Sequence, residues 1–167
     1  RNEAGNIKPM FERLPVLGKR TEIIFVGGKS SDDTNEEIQR LLPLYKEKNA
    51  KFLLQDGAGK GDAVRLGFDN ATGELLMILD ADLSVAPEDL IKFYDTISQG
   101  KGEFINGSRL VYSLEDGSMR FFNVIGNKFF SIMFSWLLDE RVKDTLCGTK
   151  VLLKKDYDDI KIGRKYF

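Results

Sequence analysis

The sequence predicts an α/β fold, with a mostly parallel sheet flanked by helices. Three observations predict it. Short apolar runs alternate with segments of helical periodicity along the whole chain. One run, Leu75 to Leu79, is apolar throughout and reads as a strand covered on both faces. That run leads straight into Asp80-Ala-Asp82, and open α/β sheets bind ligands beyond the carboxyl ends of their strands.

The elements follow in order. Ile7, Met10, Phe11 and Leu14 have helical spacing, which places a first helix near residues 3–14. Glu22 to Val26 reads as a strand. Gly27-Gly-Lys-Ser-Ser-Asp-Asp33 is then a loop opening a second helix, with Thr34 and Glu37 spaced as a capping box. Ile38, Leu41, Leu42 and Tyr45 form its buried face, and Pro43 kinks it or ends it early. A short strand lies within Lys51 to Gln55. The glycine-rich loop 56–62 precedes a helix over 62–70, and the Leu75–Leu79 strand follows. Pro87 suits a first helical position, with Glu88 and Asp89 in the first turn and Leu90, Ile91, Tyr94 and Ile97 facing inward. Gly100 to Gly102 is a turn before another short strand, Glu103 to Asn106.

Composition narrows the function. The 167 residues suffice for one domain with a real core. A net charge of −1 excludes an electrostatic nucleic-acid binder. The single cysteine, Cys147, excludes an internal disulfide framework, as in a reducing, cytoplasmic compartment. With no histidine, histidine-based triads, general bases and metal sites are all excluded. No apolar run reaches the length of a membrane span. The chain opens on Arg1, close to a helix, and reads as a single domain over 1–167 truncated at both ends.

Asp80 and Asp82 are the first candidate site. In extended chain, residues i and i+2 point to one side, so both carboxylates could reach one divalent cation. Hard oxygen ligands favour Mg²⁺ or Mn²⁺, which bind through one or two carboxylates plus substrate phosphates. A second such pair, Asp156 and Asp158, lacks a preceding apolar strand and reads as solvated surface. The loop Asp56-Gly-Ala-Gly-Lys-Gly-Asp62 is not a Walker A motif, because Gly61 stands where Ser or Thr should hold Mg²⁺. It reads either as a plain turn or as backbone that approaches a diphosphate, with Lys60 as counter-charge.

Residues 119–138 are the other conspicuous stretch. At helical spacing, Arg120, Asn123, Asn127, Ser131 and Ser135 make one polar stripe on an otherwise apolar helix. An amphipathic helix lying in a membrane interface has this pattern. A core helix, or one covered by a second copy in a homo-oligomer, has it too.

Taken together, these blocks resemble glycosyltransferase family two, in particular the polyprenyl-phosphate (dolichyl-phosphate) glycosyltransferases. Phe25-Val-Gly-Gly-Lys-Ser-Ser-Asp-Asp-Thr34 resembles the family's V-D-D-G-S-x-D-x-T loop. Gly59-Lys-Gly-Asp-Ala-Val-Arg-Leu-Gly67 resembles its G-K-G-x-A-x-x-x-G segment, and Leu79-Asp-Ala-Asp-Leu83 its D-x-D. Asn2-Glu3 resembles the start of the first helix. Asn106-Gly-Ser-Arg109, Arg120 with Gly126-Asn127, and Asp144 to Gly148 resemble the acceptor side.

The resemblance implies the GT-A (Rossmann-like) fold and a set of roles. Glu3, Gly27, Gly28, Lys60 and Asp80 would contact the nucleotide. Asp82, with Asp80, would hold the metal. Arg109 and Arg120 would grip a lipid phosphate, which suits a planar guanidinium. The expected reaction moves a sugar from a UDP- or GDP-sugar to a polyprenyl phosphate, with inversion, by a protein peripheral to or anchored at a membrane. Two departures stand out. The family's base-contacting Asp pair is Gly27-Gly28 here, and its third metal-side residue, often Gln, is Ser84. Alternatives are a saccharide acceptor, a non-catalytic nucleotide- or partner-binding relative, and a haloacid-dehalogenase-like phosphatase, whose first motif Leu79 to Val85 also resembles.

Overall fold

The computed structural model describes residues 1–107, 129–133, 135–137 and 147–163. Helix α1 spans Ala4–Arg13, strand β1 Ile23–Gly27, α2 Thr34–Leu41, β2 Ala50–Leu54, α3 Lys60–Asp69 and β3 Leu75–Ile78. Then come α4 (Leu90–Ser98), β4 (Phe104–Asn106), helical residues 129–133 and 135–137 (α5), β5 (Lys150–Leu153) and α6 (Lys154–Gly163). Pro43 sits in a 3₁₀ turn over Leu42–Leu44 that closes α2, since proline cannot supply the next helical N–H. Pro87 opens a 3₁₀ turn ahead of α4.

The strands form two small sheets, which corrects the expectation of one mostly parallel sheet. β1 and β2 are parallel, with Ile23 opposite Ala50 and Gly27 opposite Leu54. β3 and β4 both run antiparallel to β5, which lies between them. They are therefore parallel to each other, as the intervening α4 requires, and the slot between them is filled by a strand from much later in the chain.

The larger core cluster is built by α1. Ile7, Met10, Phe11 and Leu14 pack with Phe25, Ile38, Leu41 and Leu90. Phe11 is fully buried, its ring centroid 4.8 Å from Phe25 and 4.9 Å from Tyr45. Leu79, Ala81 and Leu83 pack against the same cluster, so the segment carrying both candidate aspartates is seated on it. A second cluster joins Phe68, Leu76, Leu152 and Tyr157, fixing α3 and α6 to the three-stranded sheet. Tyr157 Oη and Lys161 Nζ both donate to Asp69 Oδ1, at 2.8 and 2.7 Å.

Several local expectations change. Only Leu76 of β3 is fully buried, so this short strand is not sealed on both faces. Ile91 is exposed, because the buried face of α4 runs through Leu90 and Ile97. Thr34 is the first residue of α2 rather than its cap. Its hydroxyl donates to Asp32 and accepts the Glu3 N–H at 2.9 Å, so no capping box forms. Of the second aspartate pair, Asp158 is exposed, but Asp156 Oδ2 is buried in α6.

Candidate active site

Two loop clusters lie beyond the carboxyl ends of the strands. The first gathers the chain's start, the loop after β1 and the loop after β2. Asn2 Oδ1 accepts the Ser31 N–H at 2.9 Å, and Asp32 Oδ2 accepts the Ala4 N–H at 3.1 Å. The Thr34 hydroxyl, with the Ala4 and Thr34 amides, holds the Asp32 carboxyl below the usual carboxylate range. Glu3 Oε2 accepts from Asn6 Nδ2 at 2.7 Å. The Gly27 carbonyl accepts the Gln55 N–H at 2.9 Å, and the Gly28 carbonyl accepts from Asn35 Nδ2 at 3.0 Å. Glu3, Gly27 and Gly28 all border the start of α2: the Glu3 N–H bonds the Thr34 hydroxyl, and Asn35 lies against Gly27 and Gly28.

Gly27 is glycine for a steric reason. A Cβ there would overlap Asn35 Oδ1 and lie 2.6 and 2.8 Å from carbons of the Phe52 ring. Asn35 Oδ1 is itself buried without a hydrogen-bond partner. Asn35 and Phe52 therefore occupy the space that a carboxylate at position 27 would use. Gly28 is less constrained: a Cβ there would meet only the flexible Gln55 side chain, at 3.3 Å. We expect Gly27→Asp to destabilise the protein by about 1–3 kcal/mol through overpacking. Urea midpoints of the variant and of Gly28→Asp, expected to cost less, check this.

The second cluster centres on Asp80. The strand ends at Ile78, and residues 80–83 form a turn closed by the Leu83 N–H on the Asp80 carbonyl at 3.2 Å. Asp80 and Asp82 are therefore presented not by extended chain, the arrangement expected, but by the first and third residues of a turn. Leu83 has φ +52°, a left-handed conformation that a branched residue adopts at a cost of about 1–3 kcal/mol when its surroundings enforce it. Its packing on the α1 cluster is that enforcement. Asp82 Oδ1 accepts the Ser84 N–H at 2.9 Å. Ser84 thus contributes its backbone to orienting Asp82.

Lys60 reaches this turn from the other side. Helix α3 starts at Lys60, two residues earlier than expected, because Gly59 takes φ +87° and turns the chain into the helix. Lys60 Nζ forms an ion pair with Asp80 Oδ1. The glycine loop is more than a plain turn: it delivers the first helical residue to the D-x-D carboxylate. Further along, Arg13 at the end of α1 makes a bidentate bond to Glu88, at 2.8 and 2.9 Å. That bond holds the 3₁₀ turn that follows the aspartates, and it pulls the Glu88 carboxyl below its ordinary range.

Arg109 and Arg120 lie outside the described residues, as does most of the 119–138 stretch. The part described has an inverted pattern for a core helix. Ser131 is buried and Ser135 half-buried, its hydroxyl donating to the Ser131 carbonyl at 2.7 Å. Phe129, Ile132 and Leu137 are exposed, and Trp136 is 83% exposed.

The sequence reading missed Asn35, Gln55 and Gly148. Asn35 shows no pattern that separates it from any polar helix residue. Gly148 ends the segment that resembles the acceptor side, yet it lies against Asp80 and Lys60.

The donor set at the turn suits a hard divalent cation. Among the described residues no cluster of three or more acidic, cysteine or histidine side chains occurs. Asp80 and Asp82, both hard oxygen donors, are the residues that would hold such a cation, with substrate phosphates and water completing its coordination.

The combination of strand-end carboxylates, a glycine loop and an α/β scaffold defines a class that comparison with known proteins names. Residues 1–160 match the glycosyl transferase family 2, and the chain belongs to that family. It is 34% identical over 102 residues to a dolichol-phosphate mannosyltransferase of Saccharomyces cerevisiae, covering 58% of this chain and 38% of that protein. It is also 34% identical over 112 residues to the dolichol-phosphate mannosyltransferase of Pyrococcus furiosus, covering 66% of this chain and 31% of that protein. An undecaprenyl-phosphate 4-deoxy-4-formamido-L-arabinose transferase of Klebsiella pneumoniae is 30% identical over 103 residues, 59% of this chain and 32% of its own length. The chain thus spans about a third of these relatives. The family implies the GT-A fold, and it leaves the phosphatase alternative without support.

Proposed function

We propose that the protein transfers a sugar from a nucleotide-diphosphate-sugar to a polyprenyl phosphate, inverting the anomeric centre. The observation that carries this reading is the convergence of Lys60, from the glycine loop, on Asp80 of the D-x-D turn. A diphosphate leaving group needs positive charge beside it, which Lys60 would supply at this turn. The names of the relatives support the acceptor class.

Each group has a definable task. Glu3, Gly27 and Gly28 would line the nucleoside end of the donor. Lys60 would offer its ammonium to the diphosphate oxygens as well as to Asp80. Asp80 and Asp82 would hold Mg²⁺ or Mn²⁺, which when bound supplies positive charge against the charge that develops on the leaving diphosphate. Arg109 and Arg120 would bind the acceptor phosphate. That phosphate monoester has a second pKa of about 6, so it is already an anionic nucleophile at neutral pH. No strong general base is required, which agrees with the lack of histidine.

The exposed apolar side chains of Phe129, Phe130, Ile132, Trp136 and Leu137 support a membrane surface as the place of work, with the polyprenyl chain held there. No helix among the described residues is long and apolar enough to cross a membrane. We assign the protein to the cytoplasmic side, peripheral to the bilayer or anchored to it.

The crowding at Gly27 favours one competing reading, a relative that binds a nucleotide or partner without catalysis. Isothermal titration with UDP and with GDP, each with and without Mn²⁺, tests between them. The transferase reading expects Mn²⁺-dependent binding of one nucleotide. Binding that ignores the metal would favour the non-catalytic reading, and binding of neither nucleotide would count against the transferase reading and favour a partner-binding relative.

A further inference from the structure

We propose that Gly148 is a positioning residue of the donor site, acting through Asp80 and Lys60. The proposal rests on the transferase reading and adds a third loop to the site. Segment 147–149 leads into β5, which is inserted between β3 and β4. All three of its residues are buried.

The segment is held against the end of β4. The Thr149 carbonyl accepts the Gly107 N–H at 2.9 Å. Lys150 Nζ donates to Asn106 Oδ1 at 2.6 Å and to the Cys147 carbonyl at 2.8 Å. A Cβ on Gly107 would come within 2.7 Å of Cys147 Sγ, so the β4 end and the segment are in close contact. The segment cannot retreat from what it faces on its other side, and there it faces Asp80. A Cβ on Gly148 would overlap Asp80 Oδ2 and lie 2.5 Å both from Asp80 Cγ and from Lys60 Nζ.

The consequence is geometric. Asp80 has Lys60 on one oxygen and bare backbone of Gly148 against the other. Because that neighbour has no side chain, the carboxylate can sit deep enough to meet Lys60 and still belong to the turn it shares with Asp82. Any larger residue at 148 would push Asp80 out of this arrangement, since Asp80 is the more movable party. Gly148 touches no reacting atom in this account. It sets where the carboxylate stands.

A double-mutant cycle tests this. Gly148→Ala, Asp80→Ala and the double variant are compared by thermal unfolding and by titration with Mn²⁺ and the nucleotide that the unaltered protein binds. Gly148→Ala is expected to weaken Mn²⁺-dependent binding by about tenfold or more, and to add less than about twofold once Asp80 is alanine. Its loss of thermal stability should likewise shrink in the Asp80→Ala background, where the overlapping atoms are gone. Should Gly148→Ala fail to fold alone, recovery of folding in the double variant supports the proposal, and continued failure overturns it. Additive losses in stability and binding would overturn the coupling while leaving the transferase reading intact. Absence of metal-dependent binding in the unaltered protein would overturn that reading and the donor-site role with it, leaving the stability cycle to decide whether Gly148 and Asp80 are coupled.

Discussion

Asp82→Ala should lower sugar transfer by about 10²–10³-fold or more, the range seen when one group that stabilises developing charge is removed. Its fold should hardly change. Asp82 is exposed, and the bond it accepts from the Ser84 N–H closes a local turn that water can replace. Surface changes of this kind stay within about 0.5 kcal/mol. Transfer of labelled sugar to a polyprenyl phosphate, beside a thermal melt of the same preparation, measures both. Asp158→Ala is the control, because it too is exposed and belongs to an Asp-x-Asp pair, but one carried on α6. Full activity in Asp82→Ala would remove the D-x-D turn from the mechanism. A metal-independent residue of binding in Asp82→Ala would instead locate nucleotide affinity in Lys60 and the first loop cluster.

The same comparison shows what a linear sequence can display. Strands β1 to β4 and helices α1 to α4 were legible because their signals are local: alternation, apolar runs, proline at helix starts; β5 and α6 were not predicted. Nor was the partner of β3. Nothing in Leu75–Ile78 indicates that Lys150–Leu153 pairs with it, since the register depends on where segment 147–149 can reach. Thr34 shows a second limit. Its spacing to Glu37 met the capping pattern, but the chain's start offered the Glu3 N–H, and a tertiary bond displaced the local one. Ile91 shows a third: four apolar positions at helical spacing overstate the buried face when the helix is short and lies at the edge of a sheet. At the site, the residue types were legible and their geometry was not. Asp80 and Lys60 were each identified, but their ion pair crosses two loops, and Gly148 became visible only through the atoms that crowd it.

Phe11→Ala should cost about 3–5 kcal/mol, the range for emptying a fully buried phenylalanine site. Against a typical total of about 5–15 kcal/mol, that is a large fraction of the stability. The void would fall where Phe25 and Tyr45 lose their ring neighbour, and neither can close it, because one is fixed in β1 and the other follows the 3₁₀ turn after α2. Phe11→Leu, which keeps most of the volume, should cost distinctly less, about 1–2 kcal/mol. Urea unfolding of the three proteins gives the ranking. The effect should extend to the site, because Ala81 and Leu83 pack on this cluster and the left-handed Leu83 depends on that support. Phe11→Ala should therefore weaken Mn²⁺-dependent nucleotide binding even at temperatures where it remains folded. Equal binding by Phe11→Ala and the unaltered protein would mean that the D-x-D turn keeps its shape by its own hydrogen bonds, without the core beneath it.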